Sequence, residues 1–121
     1  MSKNEYKELS RYLLSKIERV PEFEEKLGIT YENVSIKVGT MFDEINLTIF
    51  ADVRLVDKVK FEKNSMIVTN VTFYDEDNYI LDMASDAFNV RDFLGYQTLR
   101  LYDHAPDFEL DEIAKIRILP R

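Results

Sequence analysis

A chain of 121 residues that is 45% hydrophobic and 12% aromatic has the size for one core and too much apolar content for disorder. It contains no cysteine, which excludes a disulfide scaffold, a thiolate metal site and a thiol nucleophile, and no apolar run approaches the roughly 18 residues that a bilayer crossing requires. The net charge of −7 is uneven, with 11 acids against 10 bases over residues 1–60 and 12 against 6 over 61–121. That balance argues against nucleic acid and anionic membrane surfaces as partners and favours a basic protein.

Ser2-Lys3-Asn4-Glu5 has the form of a capping box, in which a serine oxygen and a glutamate carboxylate satisfy the free amides of a first helical turn. Behind it Tyr6, Leu9, Leu13, Ile17 and Val20 recur at spacings of three and four, which predicts a helix to about Arg19. Pro21 cannot continue that helix but suits the start of another. Acids at Glu22, Glu24 and Glu25, a base at Lys26 and a terminator at Gly28 predict a short second helix ending at Leu27. Residues 1–28 therefore read as a helix pair packed on the domain formed by residues 29–121.

After Gly28 the hydrophobic period changes from 3.6 to 2. Val34, Ile36 and Val38 alternate with polar neighbours, and Ile45, Leu47, Ile49, Ala51, Val53 and Leu55 do so over eleven residues. Further strands are predicted at 59–62, 66–74, 79–85, 96–103 and 113–119. Asp75-Glu76-Asp77-Asn78 reads as a hairpin loop, and 86–95 and 104–112 as crossings between sheets. About seven strands, each with one apolar face, predict a mainly β, α+β domain. Its expected form is an antiparallel immunoglobulin-like β-sandwich behind an N-terminal helix pair, with a cystatin-like α+β roll as the alternative.

Val71-Thr72-Phe73-Tyr74-Asp75-Glu76-Asp77-Asn78-Tyr79-Ile80-Leu81, followed by Phe93-Leu94-Gly95-Tyr96, resembles the signature of the bacterial FxLYD domains over roughly residues 47–119. Leu94 stands where that family usually has proline, and Asn78 where its hairpin usually has glycine. The resemblance implies an immunoglobulin-like sandwich, no catalytic residues, and a binding or adaptor role, often at the bacterial envelope.

Two loops hold the residues with chemical potential. His104, the single histidine, lies in Tyr102-Asp103-His104-Ala105-Pro106-Asp107, where a carboxylate is placed to orient its ring. Asp75, Glu76 and Asp77 offer oxygen ligands of the kind calcium takes, yet counting from Asp75 the EF-hand glycine and glutamate positions are Ile80 and Asp86. No nucleotide-binding, nucleophile-elbow or zinc-protease motif is present. The sequence thus predicts no catalytic residue, no cofactor and no metal, and a non-enzymatic protein-interaction module with Asp75, Glu76, Asp77, Asp103, His104 and Asp107 as partner-binding residues. A small acidic inhibitor or immunity-type protein that blocks a basic site is the alternative. The charged start Met1–Tyr6 lacks the apolar region of a secretory leader, so cytoplasm is the expected compartment, or the bacterial cell surface if a leader has been removed. Phe50, Val56, Tyr74 and Tyr96 are expected on outward strand faces.

Overall fold

The computed structural model describes residues 2–121. They form α1 (Lys3–Leu14), β1 (Ile17–Arg19), α2 (Pro21–Leu27), β2 (Ile29–Met41), β3 (Glu44–Leu55), α3 (Lys58–Glu62), β4 (Met66–Tyr74), β5 (Ile80–Asn89), β6 (Tyr96–His104) and β7 (Lys115–Pro120). Seven strands make two sheets, ordered β1-β7-β4-β5 and β2-β3-β6, rather than one sheet curved around the helix. Pairing is antiparallel throughout except between β1 and β7. Among the described residues no helix is long and apolar enough to cross a membrane.

The N-terminal capping box forms as expected, with Ser2 accepting from the Glu5 amide and Glu5 accepting from the Ser2 amide. The helix it starts, however, ends at Leu14, short of Arg19. Ile17, expected on the helical face, instead opens β1, whose register against β7 sets Ile17 beside Ile116 and Arg19 beside Ile118. The spacing of Ile17 fits both periods. Pairing wins because it gives the exposed edge of β7 a partner and places Ile17 against the core.

The second helix begins at Pro21 and ends at Gly28, whose φ of +73° is the left-handed terminator conformation. A Cβ there would sit 2.3 Å from the backbone oxygen of Asp57. The site is reserved for glycine both by conformation and by the close approach of the segment leading into α3.

The segment 59–62, expected as a strand, is instead the helical turn α3. Asp57 caps it, accepting from the amides of Val59 at 3.1 Å and Lys60 at 3.2 Å. One turn suffices to send Phe61 into an aromatic cluster with Phe88 and Phe93 while Val59 stays in solvent. With β1 present and this strand absent, the total of seven is reached by a different set. β4 matches its expected limits, whereas β2 and β5 run longer than hydrophobic alternation predicted. A bulge between Glu32 and Ser35, with Asn33 at positive φ, lets β2 continue through a break in its alternation.

The core lies between the sheets. Leu47, Ile49, Ala51 and Val53 of β3 face Ile67, Val71 and Phe73 of β4 and Ile116 and Ile118 of β7, all fully buried. Each large apolar side chain so buried contributes about 1.5–3 kcal/mol. Phe73 meets Tyr102 edge to face at 4.8 Å, joining the two sheets near one end, and the Tyr31 hydroxyl hydrogen-bonds Thr69 across the sandwich.

The two open sides close differently. On one, α1 packs against β2 through Tyr6, Leu9 and the fully buried Leu13. On the other, two aspartates of β5 bridge to β6. Asp82 accepts from the Tyr102 hydroxyl at 2.6 Å and from its neighbour amide at Met83, and Asp86 accepts from the Arg100 amide at 3.1 Å and from Ala87. These carboxylates thereby satisfy edge amides of both strands. Burial, reinforced by Asp82, raises the Tyr102 hydroxyl well above its usual range and keeps it a donor.

Candidate functional site

Three loops converge at one end of the sandwich. The β2–β3 hairpin turns through Phe42 and Asp43, and next to it β3 pairs with the end of β6, Leu47 beside His104. The chain then passes through 105–114 to β7, where Lys115 pairs with Tyr74, the last residue before the 75–79 loop. Phe108 packs on Phe73 at 5.9 Å and anchors the long loop to the same end.

The composition of that end differs from the rest of the molecule. Segments 42–44, 75–79 and 104–114 contain nine of the 23 acids and none of the 16 lysines and arginines, while the remainder carries 14 acids against the 16 bases. The net charge of the chain therefore resides at this end, and the body of the domain is close to neutral.

Phe42 is the most unusual residue there. It and Asp43 form a two-residue hairpin loop with φ of +53° and +65°, the primed turn whose twist suits paired strands. Such turns favour Asn-Gly because a Cβ in the left-handed region costs about 1–2 kcal/mol. Here a phenylalanine occupies it and is 93% exposed, so no burial offsets the cost. Tyr79, 71% exposed, and Ile80 present further apolar surface on the neighbouring hairpin.

The expected site residues take distinct positions. Asp75 is committed to its own turn: its carboxylate accepts from the amides of Asp77 at 2.8 Å and Tyr79 at 3.0 Å. Its carbonyl accepts from Asn78, whose positive φ fits the tolerance of asparagine where the family resemblance led one to expect glycine. Glu76 and Asp77 project into solvent from this frame. His104 stands edge-on to Tyr102 at 4.8 Å, and Asp107 shares a cleft of ≈ 400 Å³ with Glu44, Ile45 and Phe108.

Asp103 turns away from these groups onto the outer face of the β2-β3-β6 sheet. There it accepts from Asn46 at 3.0 Å and Thr48 at 3.2 Å and pairs with Arg100 at 3.5 Å, contacts that hold its carboxyl below the usual range, the Asn46 bond foremost. So Asp75, Glu76, Asp77, His104 and Asp107 belong to one end of the molecule and Asp103 to an adjoining face. Among the described residues no group of three or more histidines and acids is arranged to hold a metal ion.

Phe42, Asp43, Glu44 and Tyr79 complete the end and were not among the partner-binding residues that the sequence pointed to. Phe-Asp carries no turn signal, so the junction of β2 and β3 was silent. A hairpin was detectable only from the two flanking alternating runs.

A second polar group lies at the junction of β1, α2 and β2. Glu24, 4% exposed, accepts from Arg19 through both Nε and Nη2, and receives longer bonds from Thr30 and the Tyr31 amide, each 3.4 Å. Every polar atom there is accounted for, with no unsatisfied buried side-chain atom among the described residues. Its role is to pin three elements together.

On the outer sheet face Asp52 accepts from Asn33 at 2.9 Å and Thr98 at 2.7 Å, and Tyr96 foremost, with these two, holds it below the ordinary carboxylate value. Phe50 and Tyr74 are half-buried and Tyr96 is exposed on their strands, whereas Val56, expected on an outward strand face, is an exposed bend residue just beyond the end of β3 at Leu55. Comparison of the chain with protein-family models, with curated proteins and with solved structures finds no match.

Proposed function

We propose that the chain is a non-catalytic protein-interaction module whose loop end docks on a basic protein surface. The observation that carries this reading is a set of loop segments, 42–44, 75–79 and 104–114, with nine acids and no lysine or arginine, gathered at the end that carries the strained, solvent-exposed Phe42. An apolar anchor ringed by charge is the usual anatomy of a contact in which the anchor supplies affinity and the charges steer association. Asp75 fixes the frame, Glu76, Asp77 and Asp107 supply charge, and His104 packs edge-on to Tyr102 at the same end. Asp103 extends the surface onto the sheet.

An immunoglobulin-like sandwich of the FxLYD type is the fold reading that goes with this role. Its support is two packed sheets of seven strands and a β4 that ends in Phe73-Tyr74, with Asp75 opening the loop that follows.

The test is capture of partners from a lysate of the native organism by the full chain, washed at low and high salt. A Glu44→Lys, Asp77→Lys variant runs beside it. A basic partner retained by the wild type and lost by the variant supports the reading, and equal capture by both sinks it. Acidity this concentrated also favours an inhibitor of a basic enzyme or toxin. That case is marked by a steep fall of association rate with salt and by loss of the partner's activity.

A further inference from the structure

On the side of the molecule closed by α1, a groove of ≈ 400 Å³ runs between that helix and β2. Its floor is Tyr6, Ile36 and Val38, and its rim is Lys3, Lys7 and Arg11 of α1 with Lys37 of β2. Among the described residues no acid lines it, on a chain whose net charge is −7. Among the described residues none of these four cations forms an ion pair.

Lys3, Lys7 and Arg11 fall at successive steps of four, one above the other on α1. Like charges so placed destabilise a helix by about 0.2–0.5 kcal/mol per pair. An opposite charge bound in the groove removes that repulsion.

The groove also meets an open strand edge. β2 is terminal in its sheet, and from Ser35 to Met41 its register with β3 is unbroken. Among the described residues the backbone of this stretch makes no hydrogen bond on its other side. The remaining edges offer less: β1 is three residues long, and amides of β5 and β6 are occupied by Asp82 and Asp86.

We infer that the α1–β2 groove takes an extended acidic peptide segment of a partner protein, added as a strand to the edge of β2. Its backbone would pair with Ser35–Met41. Alternate carboxylates would meet Lys3, Lys7, Arg11 and Lys37, and the intervening apolar side chains would lie on Tyr6, Ile36 and Val38. An edge lysine ordinarily repels stray strands. Four cations here invert that guard into selection for acidic ones. The groove is opposite in charge to the loop end, which the β2 edge reaches only at Met41, and the inference rests on other residues than the proposed function does.

The test is selection of random 12-residue displayed peptides on the full chain, followed by solution binding of a synthetic peptide from the enriched set. Peptides alternating acidic and apolar residues are expected. Their affinity should fall about tenfold or more in a Lys7→Glu, Arg11→Glu variant, from loss and reversal of several partly exposed pairs. Both substituted residues are exposed, and Lys7→Glu faces Lys3 on the same helix stripe, so a circular dichroism spectrum like the wild type's is expected to accompany the loss.

N-methylation of alternate peptide amides should abolish binding in one register and spare it in the other. Selection of basic peptides, or no enrichment, overturns the inference. So do acidic peptides that bind the variant equally, or N-methylation without effect in both registers. Capture by phosphatidylserine vesicles without peptide enrichment reassigns the groove to a lipid surface. Self-association lost in the variant without peptide enrichment reassigns it to a second copy of the chain. Either result overturns the inference as well.

Discussion

Replacing Phe42-Asp43 by Asn-Gly separates the cost of the loop end from its use. Both residues hold left-handed backbone, at +53° and +65°, a conformation that costs about 1–2 kcal/mol for a residue such as phenylalanine and less for asparagine, aspartate or glycine, so the strain sits at Phe42. The Phe42 ring is 93% exposed, so its removal gives up almost no packing. Against the gain stands the greater unfolded-state freedom of glycine, about 0.5–1 kcal/mol. The net expectation for Phe42→Asn, Asp43→Gly is a stabilisation of about 1 kcal/mol, or roughly 3–5 °C in Tm for a domain of this size.

Urea titration followed by circular dichroism measures the first quantity and thermal melting the second. The same variant should bind the proposed basic partner more weakly, giving a protein that is more stable and less functional. An unchanged or lowered Tm would refute the strain argument, and with it the reason for treating Phe42 as more than an exposed side chain.

Other consequences are independent of the loop end. Arg19→Met leaves the Glu24 carboxylate buried with two 3.4 Å bonds. Because the Arg19 side chain is 35% exposed, the expected loss is about 2–3 kcal/mol, below that of a fully buried pair; a loss under 0.5 kcal/mol in urea titration contradicts the pinning role. Gly28→Ala combines a positive φ with a Cβ 2.3 Å from the Asp57 oxygen and should cost about 2–4 kcal/mol by the same assay; an effect near zero would show that the α2–α3 approach relaxes freely.

Asp52 titrates below its ordinary 3.8 in the folded chain, so its contribution is present above that value and lost as pH falls through the lower, folded one. Wild type should therefore lose more stability than Asp52→Asn between pH 5 and pH 2.5; parallel pH profiles would dismiss the Tyr96, Asn33 and Thr98 contacts as a source of acid sensitivity.

Much of the fold was legible in the chain because local chemistry suffices to specify it. Ser2 and Glu5 cap α1, Pro21 and Gly28 bound α2, and the alternation from Ile45 to Leu55 and from Met66 to Tyr74 marks strands whose two faces see different solvents. The acidity of the Asp75–Asp77 and Asp103–Asp107 segments was equally plain. What these segments form together was not, because nothing local relates a loop near residue 76 to one near residue 107.

Tertiary structure alone decided several matters. Ile17 left the helix because β7 had an edge to pair. Residues 59–62 coiled because Phe61 had an aromatic pocket between Phe88 and Phe93 to enter. Sheet order then brought the acidic loops and Phe42 to one end, and the lysines of α1 beside Lys37. Periodicity and capping are fixed by neighbours within a few residues, whereas pairing, burial and the meeting of charged surfaces depend on segments tens of residues apart.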